Sequence, residues 1–230
     1  MFNGFTKEAS DFLWELSFNN ERPWFLAHKE QFERCVNEPF KALAQETLDQ
    51  TQLRIPDQTW NVHISRIYRD ARRLFGRGPY KDHLWFTIQE RDHHQEQPVF
   101  WFELGAAQYS YGLGMYSDHP ALMEQFRKAI DANPARFERL ARETLRHREF
   151  QITGPEYKRP KGDRGSVINP WYNRRYLSVG FEGDFGGDLL KPELPELLAD
   201  AFRRLLPLYS FFAEVYRATE DARKQEEAHG

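Results

Sequence analysis

The chain has 230 residues and a formal net charge of −3, from 32 Lys and Arg against 35 Asp and Glu. So small a total argues against a protein held to nucleic acid or to a membrane surface by bulk charge, and a mean hydropathy of −0.78 with no long apolar run argues against a helical membrane span. A charged fraction of 29% beside a hydrophobic fraction of 40% is globular composition, not that of a disordered chain. The single cysteine, Cys35, excludes an internal disulfide and a cysteine-based zinc cluster; beside Val36 on an apolar helix face it suits a buried, inert thiol better than a nucleophile. No basic stretch with an apolar core follows Met1-Phe2-Asn3-Gly4, so a secretory signal is not expected and a cytoplasmic location is.

In chain order, the first third reads as helices. Thr6 caps a helix with the apolar stripe Ala9, Phe12, Leu13 and Leu16. Asn19-Asn20 closes it and opens a second, with Pro23 in its first turn and Phe25, His28, Phe32 and Val36 along one face. Pro39 interrupts, and Phe40, Leu43, Ala44, Thr47 and Leu48 resume helical spacing up to a turn at Ile55-Pro56-Asp57. The middle alternates as strands do: Trp60, Val62 and Ile64 within a strand running 60–69, then Leu84, Phe86 and Ile88, then the dense run from Phe100 to Leu104, then Tyr109, Tyr111, Leu113 and Met115. Short links among the last three predict an antiparallel meander. The small residues of 108–114 admit close approach to the sheet, by a packed helix in the first place and by a ligand in the second. Helices return after Asp118 and Pro120, carrying Leu122, Phe126, Ala129 and Ile130, and after Asn133-Pro134, carrying Phe137, Leu140, Ala141 and Leu145. Strands follow near Phe150 and at Leu177, Val179 and Phe181. Pro195 begins a long last helix with Leu198, Phe202 and Leu205 on one face; Pro207 is expected to kink it, and the charged stretch after Arg217 to fray. The sum is a single α+β domain over 1–216, with a mostly antiparallel central sheet flanked by N-terminal and C-terminal helices, and a tail at 217–230.

The charge is segregated. Residues 61–83 hold Arg66, Arg69, Arg72, Arg73, Arg77 and Lys81 against Asp70 and Asp82. Residues 157–176 hold Lys158, Arg159, Lys161, Arg164, Arg174 and Arg175 against Asp163 alone, and both terminal regions are acidic. The planar fork of arginine suits phosphate or carboxylate bidentately. The two segments therefore point to an anion or, arginine by arginine, to surface ion pairs with the acidic helices.

Within the first segment, Ser65-Arg66-Ile67-Tyr68-Arg69-Asp70-Ala71-Arg72 ends a strand in a charged turn, and Gly76-Arg77-Gly78-Pro79-Tyr80-Lys81-Asp82-His83 leads through a glycine loop into the next. Arg66, Ile67, Tyr68, Arg69, Asp70, Arg72, Pro79, Tyr80 and Lys81, with that gap between them, resemble the signature of a bacterial and fungal family known as domain of unknown function 2461. The resemblance extends to Phe12-Leu13, Leu16, Asn19-Asn20, Arg22, Trp24-Phe25 and Lys29, and to Lys158-Arg159-Pro160, and so covers nearly the whole chain. It departs at Arg73-Leu74-Phe75-Gly76-Arg77, where the family usually carries Phe-Ser-x-Asp-Lys; Gly76 replaces the acid, so any role needing that carboxylate is absent. The resemblance implies a domain identity and an intracellular setting, and no activity.

These residues suit a pocket for an anionic or phosphorylated small molecule, anchored by Arg66, Arg69, Arg72, Tyr80 and Lys81, with Lys158 and Arg159 arriving from the later loop. On a strand, Arg66 and Tyr68 share one face and Arg69 takes the other, so Arg72 and Lys81 must fold back through the loop. Asp70 either orients a guanidinium in a plain ion pair or, if partly buried, serves as acid or base. The weaker catalytic candidates are His63 and His83, which flank the motif and either meet across strands or simply pack, and Glu103, which is held among Phe100, Trp101 and Phe102 or faces solvent. The glycine loop lacks the Gly-Lys-Ser/Thr ending of a nucleotide phosphate loop, and Gly165-Ser166 lacks the elbow of a serine hydrolase. Adjacent His93-His94 are poorly disposed to share a metal, no His-Glu-x-x-His occurs, and neither metal nor cofactor is expected. Three functions compete: binding of, or action on, an anionic small molecule; single-stranded nucleic-acid binding by rings beside the arginines, disfavoured by the acidic remainder; and a non-catalytic interaction module whose basic face meets an acidic partner protein or a second copy of the chain.

Overall fold

The alternation of Leu84, Phe86 and Ile88 with Trp85, Thr87 and Gln89 becomes strand β2 (His83–Glu90), and its first set is 0–1% exposed. The same period of two makes β1 (Trp60–Ile64), β3 (Pro98–Gly105), β4 (Gln108–Met115), β5 (Gln151–Thr153) and β6 (Leu177–Asp184). The computed structural model describes residues 1–70, 72, 77–90, 97–115, 120–147 and 149–229. Among these the strands form one antiparallel sheet in the order β1-β2-β3-β4-β6-β5, and with the helices before and after it the domain is α+β, as the sequence predicts. Within it the chain forms two compact units, each assembled from several stretches.

The first unit takes in Met1–Arg91, Trp101–Tyr111 and Glu182–Arg203. Its helices are α1 (Lys7–Phe18), α2 (Arg22–Ala27), α3 (Lys29–Phe32) and α4 (Glu38–Arg54), with a π-helical turn at Glu33–Asn37 leading into α4. Thr6 does stand at the N-cap of α1 with extended backbone, but its side chain makes no capping hydrogen bond. Pro39 lies in the first turn of α4. It cannot donate to the carbonyl four residues back, and the helix widens into the π turn in the residues just ahead of it. Phe40 brings α4 onto the sheet, meeting Phe86 at 5.7 Å and Phe102 at 6.0 Å between ring centroids. Each such ring, withdrawn from water, contributes about 1.5–3 kcal/mol.

Strand β1 is shorter than its alternation suggests. The register pairs Ile64 with Phe86, which sets Ser65 opposite Trp85. Ser65 N–H donates to the Trp85 carbonyl (2.8 Å), but the Trp85 N–H donates to Ser65 Oγ (2.9 Å). A side chain has taken the place of the carbonyl that would continue the ladder, and the strand stops.

The second unit takes in Asp92–Phe100, Gly112–Phe181 and Arg204–Gly230. It holds α5 (Pro120–Ala132), α6 (Pro134–Arg146), α7 (Asn169–Tyr172) and most of α8, which runs Leu194–His229. Asn133 caps α6 as expected, its Oδ1 accepting from Arg136 N–H at 3.0 Å. Tyr209 of α8 stacks on Phe100 of β3 at 4.9 Å, and Phe126 of α5 meets Phe211 and Phe212 edge-on at 5.9 Å. The helix runs through Pro207 and continues past Arg217, where Thr219 is 4% exposed and Arg223 pairs with Glu220 at 2.8 Å. The close approach that the small residues of β4 predict is neither a helix nor a ligand at Gly112: a Cβ there would lie 2.2 Å from the Val179 carbonyl oxygen of β6. Among the described residues no helix is long and apolar enough to cross a membrane.

Candidate functional site

Beyond Ser65 the chain does not lie as a strand, and this decides where the motif's side chains go. Its next contact with the segment ahead of β2 is an isolated antiparallel bridge between Tyr68 and Tyr80. Arg69 N–H donates to the Pro79 carbonyl (2.8 Å) and Lys81 N–H to the Ile67 carbonyl (2.7 Å). The two halves of the motif are thereby laid side by side, with Ile67 and Tyr80 turned inward at 5% and 2% exposure. Tyr80 stacks on Phe25 of α2 at 4.1 Å, and burial, with the Tyr68 hydroxyl as a lesser contribution, raises its phenol above the ordinary value. Tyr80 thus packs inward against Phe25.

A groove of about 650 Å³ opens against this arrangement, lined by Arg66, Arg69, Arg77, Lys81, Asp70 and Tyr68 together with His63 and Trp85 and the Ile64-Ser65 wall. All of these residues belong to the first unit. Each cation is held differently. Arg69 is largely committed: its Nε donates to the Tyr80 carbonyl at 2.7 Å, and its Nη2 lies 3.4 Å from Asp82 Oδ1. Lys81 folds back as anticipated, donating from Nζ to the Arg66 carbonyl at 2.7 Å while sitting 5.7 Å from the Trp85 ring. Burial first, and then the neighbouring Arg69 charge, lower its ammonium from the ordinary lysine value. Arg66 and Arg77 are exposed, and among the described residues neither has a carboxylate partner.

Asp70 follows the simpler of its two readings. Its Oδ1 accepts from Arg72 N–H (3.0 Å) and Nε (3.1 Å) and its Oδ2 from Arg72 Nη2 (2.8 Å), which raises the Arg72 guanidinium. Arg72 is turned to Asp70 and does not line the groove. His63 does line it, with its ring 5.5 Å from Trp85. Of the two readings of His63 and His83, the meeting across strands does not occur: the register sets His63 opposite Thr87, four residues and about 13 Å along the strand from His83. His83 instead places Nδ1 2.9 Å from Asp82 Oδ1. Burial works to raise the Asp82 carboxyl, but hydrogen bonds from His83 and from the backbone, with the charges of His83 and Arg69, hold it below the usual range. Glu103 lies half-buried on the face of β3 opposite Phe102 and Leu104, outside the groove.

The second basic segment lies in the other unit. Lys158 and Arg159 are exposed there and are not among the lining residues of this groove. Arg164 and Arg174 of that segment follow the ion-pair reading. Arg164 grips Asp131 through Nε (2.6 Å) and Nη2 (3.1 Å), while Arg174 donates to the Pro170 carbonyl (2.7 Å) and pairs with Glu156 (3.4 Å). Among the described residues no three His, Cys, Asp or Glu are grouped to hold a metal ion. His93 and His94, like Gly76, lie outside the described residues.

Sequence reasoning did not name Ile64, Ser65, Tyr68, Arg77 or Trp85 as site residues, and all five line the groove. Arg77 was visible as a cation between two glycines but has no strand or helix period to aim it. Trp85 alternates with the buried Leu84 and Phe86, so its place on the other face of β2 was there to be read. The gap-spaced motif matches a wider pattern: the model of a family described as a conserved hypothetical protein, DUF2461, matches residues 8–211, a stretch that includes every residue of the groove. No curated protein matches the chain.

Proposed function

The chain belongs to the DUF2461 family of conserved hypothetical proteins, and we propose that its central motif binds an anionic small molecule, carrying phosphate or carboxylate, in the groove of Arg66, Arg69, Arg77 and Lys81. The observation that carries this reading is a surplus of positive charge: among the described residues four cations and one carboxylate line the groove, that carboxylate already accepts from Arg72, and of the four cations Arg69 alone has a carboxylate partner, Asp82. Arg66 and Arg77 offer open guanidinium forks, and Lys81 keeps two N–H donors beyond the one given to Arg66. The lowered Lys81 ammonium fits the same reading, because an anion seated among these cations relieves the repulsion that contributes to it.

Thermal unfolding in a phosphate titration tests the reading. At a phosphate concentration one hundred times the dissociation constant, stabilisation of about 2.7 kcal/mol is expected. Arg66→Ala and Arg77→Ala, both at exposed positions, should each remove most of it without lowering the unliganded melting temperature. A phosphate response unchanged in both variants rejects the groove as the site.

A second reading, single-stranded nucleic acid, rests on Tyr68, a residue 53% exposed that lines the groove with Arg66. A third variant, Tyr68→Ala, separates the two. Oligonucleotide binding that falls steeply with salt and is lost in Tyr68→Ala favours nucleic acid; a saturable response to phosphate that survives Tyr68→Ala favours the small molecule.

A further inference from the structure

The segment 64–68 has a second groove against it. This one, of about 270 Å³, is lined by Lys29 and Lys41, by Glu33 and Asn37 of the π-helical turn, and by Phe25 and Phe32 beneath. Ile64, Ser65, Arg66 and Tyr68 line both grooves, so the two share a wall of main chain. Both lysines are exposed, and among the described residues neither has a carboxylate partner. Asn37 donates to the Glu33 carboxylate one turn away, which fixes that carboxylate in the groove. Among the described residues the charge facing this space is Lys29, Lys41 and Arg66 against Glu33, a positive surplus smaller than in the first groove.

Two independent features make this more than a second surface hollow. A π-helical turn is rare and recurs at functional sites; here the residues at its two ends, Glu33 and Asn37, are the ones presented to the groove. The exposed Tyr68 ring, backed by Tyr80 at 5.3 Å and Phe25 at 6.1 Å, stands on the shared wall between the two sets of cations.

We propose that the two grooves are subsites of one elongated site, and that its ligand is a small molecule with an anionic group at each end. One end is held by Arg77 and Lys81 and the other by Lys29 and Lys41. Arg66 reaches from the wall, and Tyr68 supports the uncharged middle of the ligand. This rests on the anion-binding reading of the first groove and narrows it to a chemical class. The wall is a full chain width, about 5 Å, so the anionic groups must be well separated, and two directly linked phosphates do not span it.

Titration calorimetry with a set of probes tests this: inorganic phosphate, methylphosphonate, and alkane-α,ω-bisphosphonates with one to eight methylenes. Affinity is expected to rise with length to an optimum on the order of 100-fold tighter than methylphosphonate, while the one-methylene compound gains nothing. Lys29→Ala with Lys41→Ala should abolish that gain while the phosphate and methylphosphonate binding that Arg77→Ala removes persists. Affinity flat with length, or a gain indifferent to the lysines, overturns the elongated site while phosphate binding lost in Arg77→Ala leaves the first groove standing. Absence of any phosphate or methylphosphonate binding overturns both.

Discussion

The side-chain amide of Asn20 holds the main chain of Tyr80 from both sides: the Tyr80 N–H donates to Asn20 Oδ1, and Asn20 Nδ2 donates to the Tyr80 carbonyl, each at 2.9 Å. That carbonyl also accepts from Arg69 Nε at 2.7 Å. A residue between two helices thus fixes the second half of the motif, and through it the lysine and arginine that face the groove. Asn20→Ala removes both bonds in a partly buried place and should cost about 1–3 kcal/mol, read as a fall in melting temperature. Phosphate affinity should fall with it, since Lys81 follows directly on Tyr80. A variant with native stability and native phosphate response would show that the amide does not position the groove.

Gly78 permits this latch. A Cβ on it would lie 2.3 Å from Asn20 Oδ1 and 2.5 Å from the Asn20 carbonyl oxygen, and the second of these is backbone that cannot swing away. Gly78→Ala is expected to destabilise by about 1–3 kcal/mol through overpacking and to weaken phosphate binding in proportion. Urea unfolding of the variant and the parent, followed by phosphate titration of each, measures both effects.

Cys35 is 5% exposed, and burial, reinforced by the Glu8 charge, pushes its thiol up to about 11. The neutral thiol is therefore the native form, and its contribution to stability is full below the unfolded value of 9.0 and lost as pH rises through about 11. At pH 8 iodoacetamide should leave the folded protein unlabelled and label it promptly in guanidinium, with mass spectrometry as the readout. Rapid labelling of the native protein would contradict the buried-thiol assignment.

In the second unit, Asp131 accepts from Arg164 and from the Tyr172 hydroxyl (2.8 Å). The Arg164 hydrogen bond is the main cause that holds its carboxyl below 3.8, against the opposing effect of burial. A lowered carboxyl contributes stability that is full above 3.8 and is lost as pH falls through its folded value. Asp131→Asn should therefore destabilise at pH 7 and differ less and less from the parent as pH drops below about 4. Parallel stability curves over that range would remove Asp131 from the acid response.

Much of the frame was legible because local chemistry and tertiary packing agree. The period of two in Leu84, Phe86 and Ile88 is a buried strand face, and Asn133-Pro134 is a capped helix start. What failed was what depends on a distant partner. Alternation through 69 predicted a longer β1, but the Ser65 hydroxyl intercepts the Trp85 N–H. His63 and His83 flank the motif in sequence, yet register is set by pairing, and it sets them apart. The π turn before Pro39 has no apolar period to announce it. Of the residues read as anchors, Arg66, Arg69 and Lys81 line the groove, while Arg72 turned to Asp70 and Tyr80 inward, since rank in a motif does not distinguish a side chain that holds the loop from one that faces the space.

The latch between Asn20 and Tyr80 closes 60 residues of chain. Ordering so long a loop costs entropy before any contact repays it, and non-local contacts of this kind slow folding. The helices and the β1–β2 ladder can form from nearer partners, whereas the cationic groove exists only once its far ends have met. If the groove binds phosphate as proposed, regain of that binding during refolding times the completion of the first unit, and secondary structure seen by circular dichroism should return ahead of it.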